Sequence, residues 1–190
     1  MKEGLIKDTY EVVTKELQAI IAASYVMAVG IGMLFNYQKY SEFDINIFHY
    51  ADVFDFLIAP FSDFYILFFT TASILIVVLL VALDSLWKDK WPKSYSVANL
   101  GLDKKPWFST YRVIISIGSL LIYLYGAANY YGSVAKDRIK AGDDIYIILA
   151  DDQAKSGKLI GKTKDVIFLL NEENVSAFPI SSMVKEIKIR

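Results

Sequence analysis

The sequence contains no cysteine and a single histidine, and its charges nearly cancel. The lack of cysteine excludes disulfides, thiolate nucleophiles and cysteine-based metal sites. A formal net charge of −1 does not predict a nucleic-acid partner. The sequence also has no glycine-rich phosphate loop, nucleophile elbow or HExxH motif. We therefore expect a protein that is not an enzyme and needs no cofactor.

What the sequence has in excess is apolar side chains, at 55% of the chain. They are concentrated in three runs, 17–35, 64–83 and 113–131, each close to the ~20 residues that cross a hydrocarbon core. The sequence therefore predicts three transmembrane helices, which we assign to 17–37, 63–84 and 111–131. Acidic residues precede the first run and no small-residue cleavage site follows it, so we expect an anchor rather than a signal peptide.

Two polar segments precede the second run. Residues 1–16 predict an amphipathic helical lead-in. In segment 38–62, apolar residues recur at intervals of three and four, at Phe43, Ile47, Tyr50, Phe54 and Ile58. This pattern predicts an interfacial amphipathic helix. A fourth span is disfavoured because it would place three aspartates of the segment in lipid.

The polar connector 85–110 carries most of the positive charge near the helix ends. It contains five lysines, whereas the first connector contains only Lys39. The positive-inside rule therefore places this connector and the N-terminus in the cytoplasm of a bacterial inner membrane, with the C-terminal domain outside. Lys136, Arg138 and Lys140 argue the other way. The connector also contains all three tryptophans, which we interpret as membrane-interface anchors: Trp87, Trp91 and Trp107.

The C-terminal part, 132–190, has a different pattern. Five short segments rich in β-formers, "IYIILA", "GKLIGKT", "VIFLLN", "VSAFPI" and "VKEIKIR", are separated by turn-forming residues. Pro179 closes one strand, "ISSM" forms a turn, and Val184, Ile187 and Ile189 alternate in the last strand. This order resembles the SH3-like and Sm-like small β-barrels. The predicted fold is three transmembrane helices with a small all-β domain, and the resemblance implies no function.

Small residues at four-residue spacing form a ridge on the first helix, at Ser24, Ala28 and Gly32. Helices in lipid associate through such close-packing faces. Gly118 and Gly126 give the third helix a similar surface. We expect these residues to form a helix-packing interface. Two alternatives remain open, packing within one chain and contact between copies in a homo-oligomer.

Two groups of polar residues precede the second span, one a candidate cation site and the other a candidate helix cap. His49, Asp52 and Asp55 would share one side of a helix, which suits a divalent cation but equally suits the wet face of an interfacial helix. We assign no metal to them. Ser62 and Asp63 precede the second span and predict a helix N-cap.

Two functional hypotheses follow. The first is a membrane assembly or sensor subunit, whose partners are the lipid bilayer, its own copies or a protein bound by the β-domain. The second is a small oligomeric channel, because three spans and a β-domain are similar in plan to the small-conductance mechanosensitive channels. The third span lacks that family's glycine and alanine repeat, leaving Ser116, Ser119 and Tyr123 as candidate lining. A further alternative is the membrane component of a bacterial defence or envelope-stress system.

Overall fold

The computed structural model describes residues 2–172 and 174–188, and the side chains among them from residue 17 onward except that of Ile20. Its helices are α1 (Lys2–Ser41), α2 (Val53–Ser62), α3 (Phe64–Lys90), α4 (Pro92–Ala98), α5 (Phe108–Ala141) and the short α6 (Ile180–Met183). Its strands are β1 (Asp144–Leu149), β2 (Ala154–Lys162), β3 (Val166–Asn171), β4 (Asn174–Pro179) and β5 (Val184–Lys188). The side chains of 1–16, for which an amphipathic helix is predicted, are not among those described. Ile189 lies outside the described residues.

Three of these helices are long and apolar enough to cross a membrane. They are α1 from Leu17 onward, α3 and α5, so each of the three apolar runs of the sequence lies in one long helix. The helix α5 continues beyond residue 131 to Ala141, and only Gly142 and Asp143 separate it from β1. Residues 132–141, which are predicted above to belong to the β-domain, are therefore helical.

The three long helices are aligned by contacts at both ends of α3. Near the C-terminal end of α1, the ring of Phe35 lies 5.5 Å from that of Tyr131 in α5. The start of α3 joins the same region through Asp63. At the other end of α3, Asp84 forms an ion pair with Arg112, near the start of α5. Hence α3 runs antiparallel to α1 and α5, and segment 42–63 lies at the same end as the β-sheet.

The segment between α1 and α3 departs from the prediction. In place of one amphipathic helix in segment 38–62, the chain turns after Ser41, forms a 3₁₀ turn at Ile47–His49 and begins α2 only at Val53. Asp44 has a left-handed φ of 59°, which interrupts the helix. The Asp52 side chain then caps α2, accepting from the backbone N–H groups of Phe54 and Asp55. Phe43 and Ile47 are consequently buried, whereas Phe54 and Ile58 are exposed.

The C-terminal part is a five-stranded antiparallel sheet with the order β4-β3-β2-β1-β5. The single helical turn α6 lies between β4 and β5, where the sequence predicted a turn. The prediction of five short strands is confirmed. Bulges interrupt the register between β1 and β5 and between β2 and β3, which increases strand twist.

The strand β3, which pairs with β4 and β2, is buried on both faces, and this accounts for its unbroken apolar sequence. Ile167 and Leu169 pack inside the sheet with residues of β1. Phe168 and Leu170 point the other way, into a cluster with the end of α1 and the following segment. This junction core comprises Tyr40, Phe43, Ile45, Ile47, Phe56, Ile160, Phe168 and Leu170. The sheet thus shares a hydrophobic core with the C-terminal end of α1, the segment that follows it and α2.

Candidate functional site

Beside the junction core is a cavity of ≈ 780 Å³, here called the junction cavity. Its walls come from the end of α1, from α2, from the start of α3, from Tyr131 of α5 and from the turn between β2 and β3. Its charged lining residues are Lys39, Asp52, Asp55, Asp63, Lys162 and Lys164. The cavity therefore brings together charged side chains from segments that are remote in the sequence.

Asp63 connects two of the cavity walls. One carboxylate oxygen accepts a hydrogen bond from the backbone N–H of Tyr65 at 2.9 Å, which confirms the predicted cap of the second span. The other oxygen accepts from the hydroxyl group of Tyr131 at 2.7 Å. Ser62 is not the cap, because its hydroxyl group is within hydrogen-bond distance of the carbonyl oxygen of Ala59, at 3.3 Å.

Asp52 and Asp55 form a capping box at the start of α2. The backbone N–H of Asp52 donates to Asp55 Oδ2 at 3.0 Å. Asp55 Oδ1 accepts from the backbone N–H of Lys164 at 3.0 Å, which fixes the β2–β3 turn to α2. His49 is exposed with its ring near Tyr50, and it does not line the cavity. Throughout the described ranges no group of three histidine or acidic side chains is placed to hold a metal ion.

The three lysines of the junction cavity differ from its aspartates in their contacts with other side chains. None of Lys39, Lys162 and Lys164 forms an ion pair with any side chain that the structure describes. Lys39 is half-buried, and its Nζ lies 5.2 Å from the centre of the Tyr40 ring. Lys162, at the end of β2, and Lys164, in the following turn, are exposed. The cavity therefore presents ammonium groups whose charge is not neutralised by a direct carboxylate contact.

The predicted ridge of α1 contributes to packing at only one end. Gly32 is buried, and a Cβ atom there would overlap the carbonyl oxygen of Phe56 in α2. Ala28 is half-buried and Ser24 is exposed. On α5, Gly118 and Gly126 have open space within 4 Å of a Cβ position. Within the described chain, the ridge therefore packs against α2 through Gly32.

The packing of α5 against α1 uses Ala128, a small residue of the predicted third span, together with Gly132 and Ala135, which the sequence analysis did not single out. A Cβ atom at Gly132 would lie 2.8 Å from the carbonyl oxygen of Gln38, so the two backbones approach closely there. Ala128 and Ala135 are also buried in this contact. The sequence signal for this helix contact is a stripe at four- and three-residue spacing, formed by Leu124, Ala128, Gly132 and Ala135.

Two other predicted groups take up positions outside the cavity. The exposed tryptophans Trp87, Trp91 and Trp107 lie at the end of α3 and the start of α5 that is remote from the junction cavity. Of the candidate channel lining, Ser116 donates its hydroxyl hydrogen to the Arg112 carbonyl at 2.9 Å, within its own helix. Ser119 is half-buried and Tyr123 is exposed.

The end of the molecule that carries the tryptophans has its own polar cluster. Arg112 forms an ion pair with Asp84, and the buried hydroxyl group of Tyr95 donates to the same carboxylate at 3.3 Å. Burial and the negative charge of Asp84 raise the pKa of Tyr95 above its ordinary value of 10.0. This cluster joins α4 to α3 and α5.

Comparison of the chain with known protein families, with curated proteins and with solved structures gives no match. Two features of the structure bear on function: the junction core, which packs the sheet against the end of α1 and α2, and the charged junction cavity beside it.

Proposed function

We propose that the chain is a non-enzymatic membrane subunit for assembly or sensing. In this function the β-domain contacts other copies or a protein partner, and the helices carry the resulting rearrangement across the bilayer. The observation that carries the proposal is the junction core, because it packs the sheet directly against the end of α1 and against α2.

Contacts of the sheet with the helical part support this coupling. The ring of Phe168 packs edge-on against Tyr40 at 5.5 Å and against Tyr50 at 5.2 Å. On β2, a Cβ atom at Gly161 would overlap the Tyr40 hydroxyl group, so glycine permits this close approach. A displacement of β2 or β3 would therefore push on Tyr40 at the end of α1.

The exposed half of α1 supports an assembly role. Residues 17–19 and 21–27 are all exposed in the single chain, although this segment is apolar. In a bilayer this surface would face lipid or another copy. The small residues Ala23 and Ser24 lie here, and small residues let two helices approach closely. We therefore assign the homo-oligomeric contact to this half of α1.

The charge distribution supports an orientation for this subunit. The lysine-rich connector lies at one end of α3, and segment 42–63 lies with the β-sheet at the other. By the positive-inside rule, the connector is cytoplasmic and the sheet is outside, in a bacterial inner membrane. The strand order and the helical turn before β5 favour the SH3-like interpretation of the β-domain.

Disulfide cross-linking tests the assembly proposal, because the chain has no native cysteine. Ser24→Cys is introduced on the small-residue ridge and Val26→Cys on the opposite side of the same helical turn, both at exposed positions. We expect mild oxidation of membranes to give a cross-linked dimer with Ser24→Cys and little with Val26→Cys. Equal yields from both variants, or none from either, would contradict a specific α1 contact.

A further inference from the structure

We propose that the junction cavity binds the anionic, phosphate-bearing headgroup of a membrane amphiphile. The proposal depends on the chain spanning a membrane but not on its assembly through α1. It is carried by the position of the cavity, by the partners of its charged groups and by the apolar surface at its mouth.

The position of the cavity matches the depth of lipid headgroups. Lys39 lies close to the end of the apolar span that closes at Ser41. Asp63 and Ile66 lie at the beginning of α3, and Tyr131 is in the part of α5 that faces them. All three spans therefore reach their boundary around the cavity. The polar ends of membrane lipids lie at this level of the bilayer.

The cavity lining holds three lysines and three aspartates, and the two sets differ in their partners. Both carboxylate oxygens of Asp55 and of Asp63 accept hydrogen bonds from the protein. The carboxylate of Asp52 is likewise engaged, through Oδ1, with two backbone N–H groups. The three lining lysines, in contrast, form no ion pair within the described chain. Their ammonium groups remain as donors for phosphate oxygens.

The mouth of the cavity also suits a molecule with a hydrophobic tail. Phe54 and Ile58 line the cavity, yet they are 66% and 59% exposed. Phe61 continues this exposed apolar surface along α2. A ligand with its headgroup near Lys39 would place an acyl chain against these side chains. The cavity volume of ≈ 780 Å³ lies within the usual range for small-molecule sites.

The experiment uses the full chain, reconstituted in vesicles of equal parts phosphatidylglycerol and phosphatidylcholine and extracted in mild detergent. Native mass spectrometry measures which lipid remains bound. We expect phosphatidylglycerol to be retained in preference, and Lys39→Gln to reduce its retention by about tenfold through loss of a charge-assisted contact. Lys39→Arg keeps the charge and should retain the lipid. Lys155→Gln removes an exposed lysine outside the cavity and is the matched control.

A second variant covers the case in which Lys39→Gln does not fold. The double substitution Lys162→Gln and Lys164→Gln alters only exposed side chains of the turn, and it should also lower retention. Added inorganic phosphate distinguishes the source of the phosphate group. Retention of lipid in its presence supports the amphiphile, whereas displacement supports a site for soluble phosphate compounds. Equal retention of the two lipids, or no difference between the cavity variants and Lys155→Gln, would overturn the proposal.

Discussion

The hydroxyl group of Tyr131 donates a hydrogen bond to a carboxylate oxygen of Asp63 at 2.7 Å, across 68 positions of sequence. This contact joins the middle of α5 to the residue that caps α3. Because Asp63 already accepts a bond from its own helix, the same carboxylate holds both the start of α3 and its neighbour in place.

Removal of this hydroxyl group is the first prediction. Tyr131→Phe should destabilise the folded protein in detergent by about 1 kcal/mol, the usual scale of one buried hydrogen bond. Thermal unfolding followed by circular dichroism measures the change. Tyr130→Phe is the control, because Tyr130 is exposed and should lose little. Equal losses in the two variants would show that the contact with Asp63 contributes no special stability.

The close packing of α1 on α2 gives a second prediction. Gly32→Ala adds a methyl group that must displace the Phe56 backbone, so we expect a loss of about 1–3 kcal/mol. Gly30→Ala, on the same helix, has open space and should be neutral or slightly stabilising, since alanine favours the helix. The measurement is again the unfolding temperature. A loss confined to Gly30→Ala would contradict the packing described for α1.

The junction core gives a third prediction. Phe168→Ala removes the ring between β3 and the end of α1, at a cost of about 3–5 kcal/mol. Amide hydrogen exchange should become faster in α2 and in the β2–β3 turn. Phe178→Ala removes a ring that packs within the sheet instead, so it should leave exchange in α2 unchanged. Similar exchange in α2 for both variants would mean that Phe168 does not couple the sheet to the helices.

The stability of the tryptophan-bearing end should fall at high pH. Because the pKa of Tyr95 is raised in the folded chain, the folded state keeps a proton that the unfolded state releases above about pH 10. The contribution of the Tyr95 hydroxyl group to the free energy of unfolding is complete below about pH 10, and it is lost as the pH rises through the raised pKa of the folded chain. Tyr95→Phe should therefore flatten the decline of unfolding temperature between about pH 9 and pH 11. The exposed Tyr146→Phe is the control, and identical pH profiles for both would refute the assignment.

The orientation is tested by single cysteines at the two ends of the molecule. Ser181→Cys lies in α6, and Ser94→Cys lies in α4, and both side chains are exposed. In intact cells a membrane-impermeant maleimide should label Ser181→Cys and not Ser94→Cys. The reverse pattern would place the β-domain in the cytoplasm and overturn the orientation drawn from the lysines.

The sequence predicted the elements of this fold well because their signals are local. Apolar runs of about 20 residues predict spans, and short β-rich segments between turn residues predict strands. The bond between Lys164 and Asp55, in contrast, joins positions 109 residues apart and leaves no periodic pattern. The junction cavity could not be predicted for the same reason.

The small-residue ridge shows that spacing does not identify the packing partner of a helix. The prediction that Gly32 serves close packing agrees with its burial, but its neighbour is α2, a helix whose start depends on the Asp52 cap. The apolar residues of 43–58 were assigned to one helical face because three- and four-residue spacing was present throughout. The left-handed conformation of Asp44 and the extended one of Asp52 divide that segment, and sequence periodicity does not report either.

The short link between α5 and the sheet has a mechanical consequence. With only Gly142 and Asp143 between them, and with Lys158 Nζ bonded to the Gly142 carbonyl at 2.5 Å, β1 continues almost directly from the helix. Rotation of α5 about its long axis would therefore turn the sheet with it. A torsion of α5, and not only a displacement along its axis, would in this way reach β1 through a link of two residues.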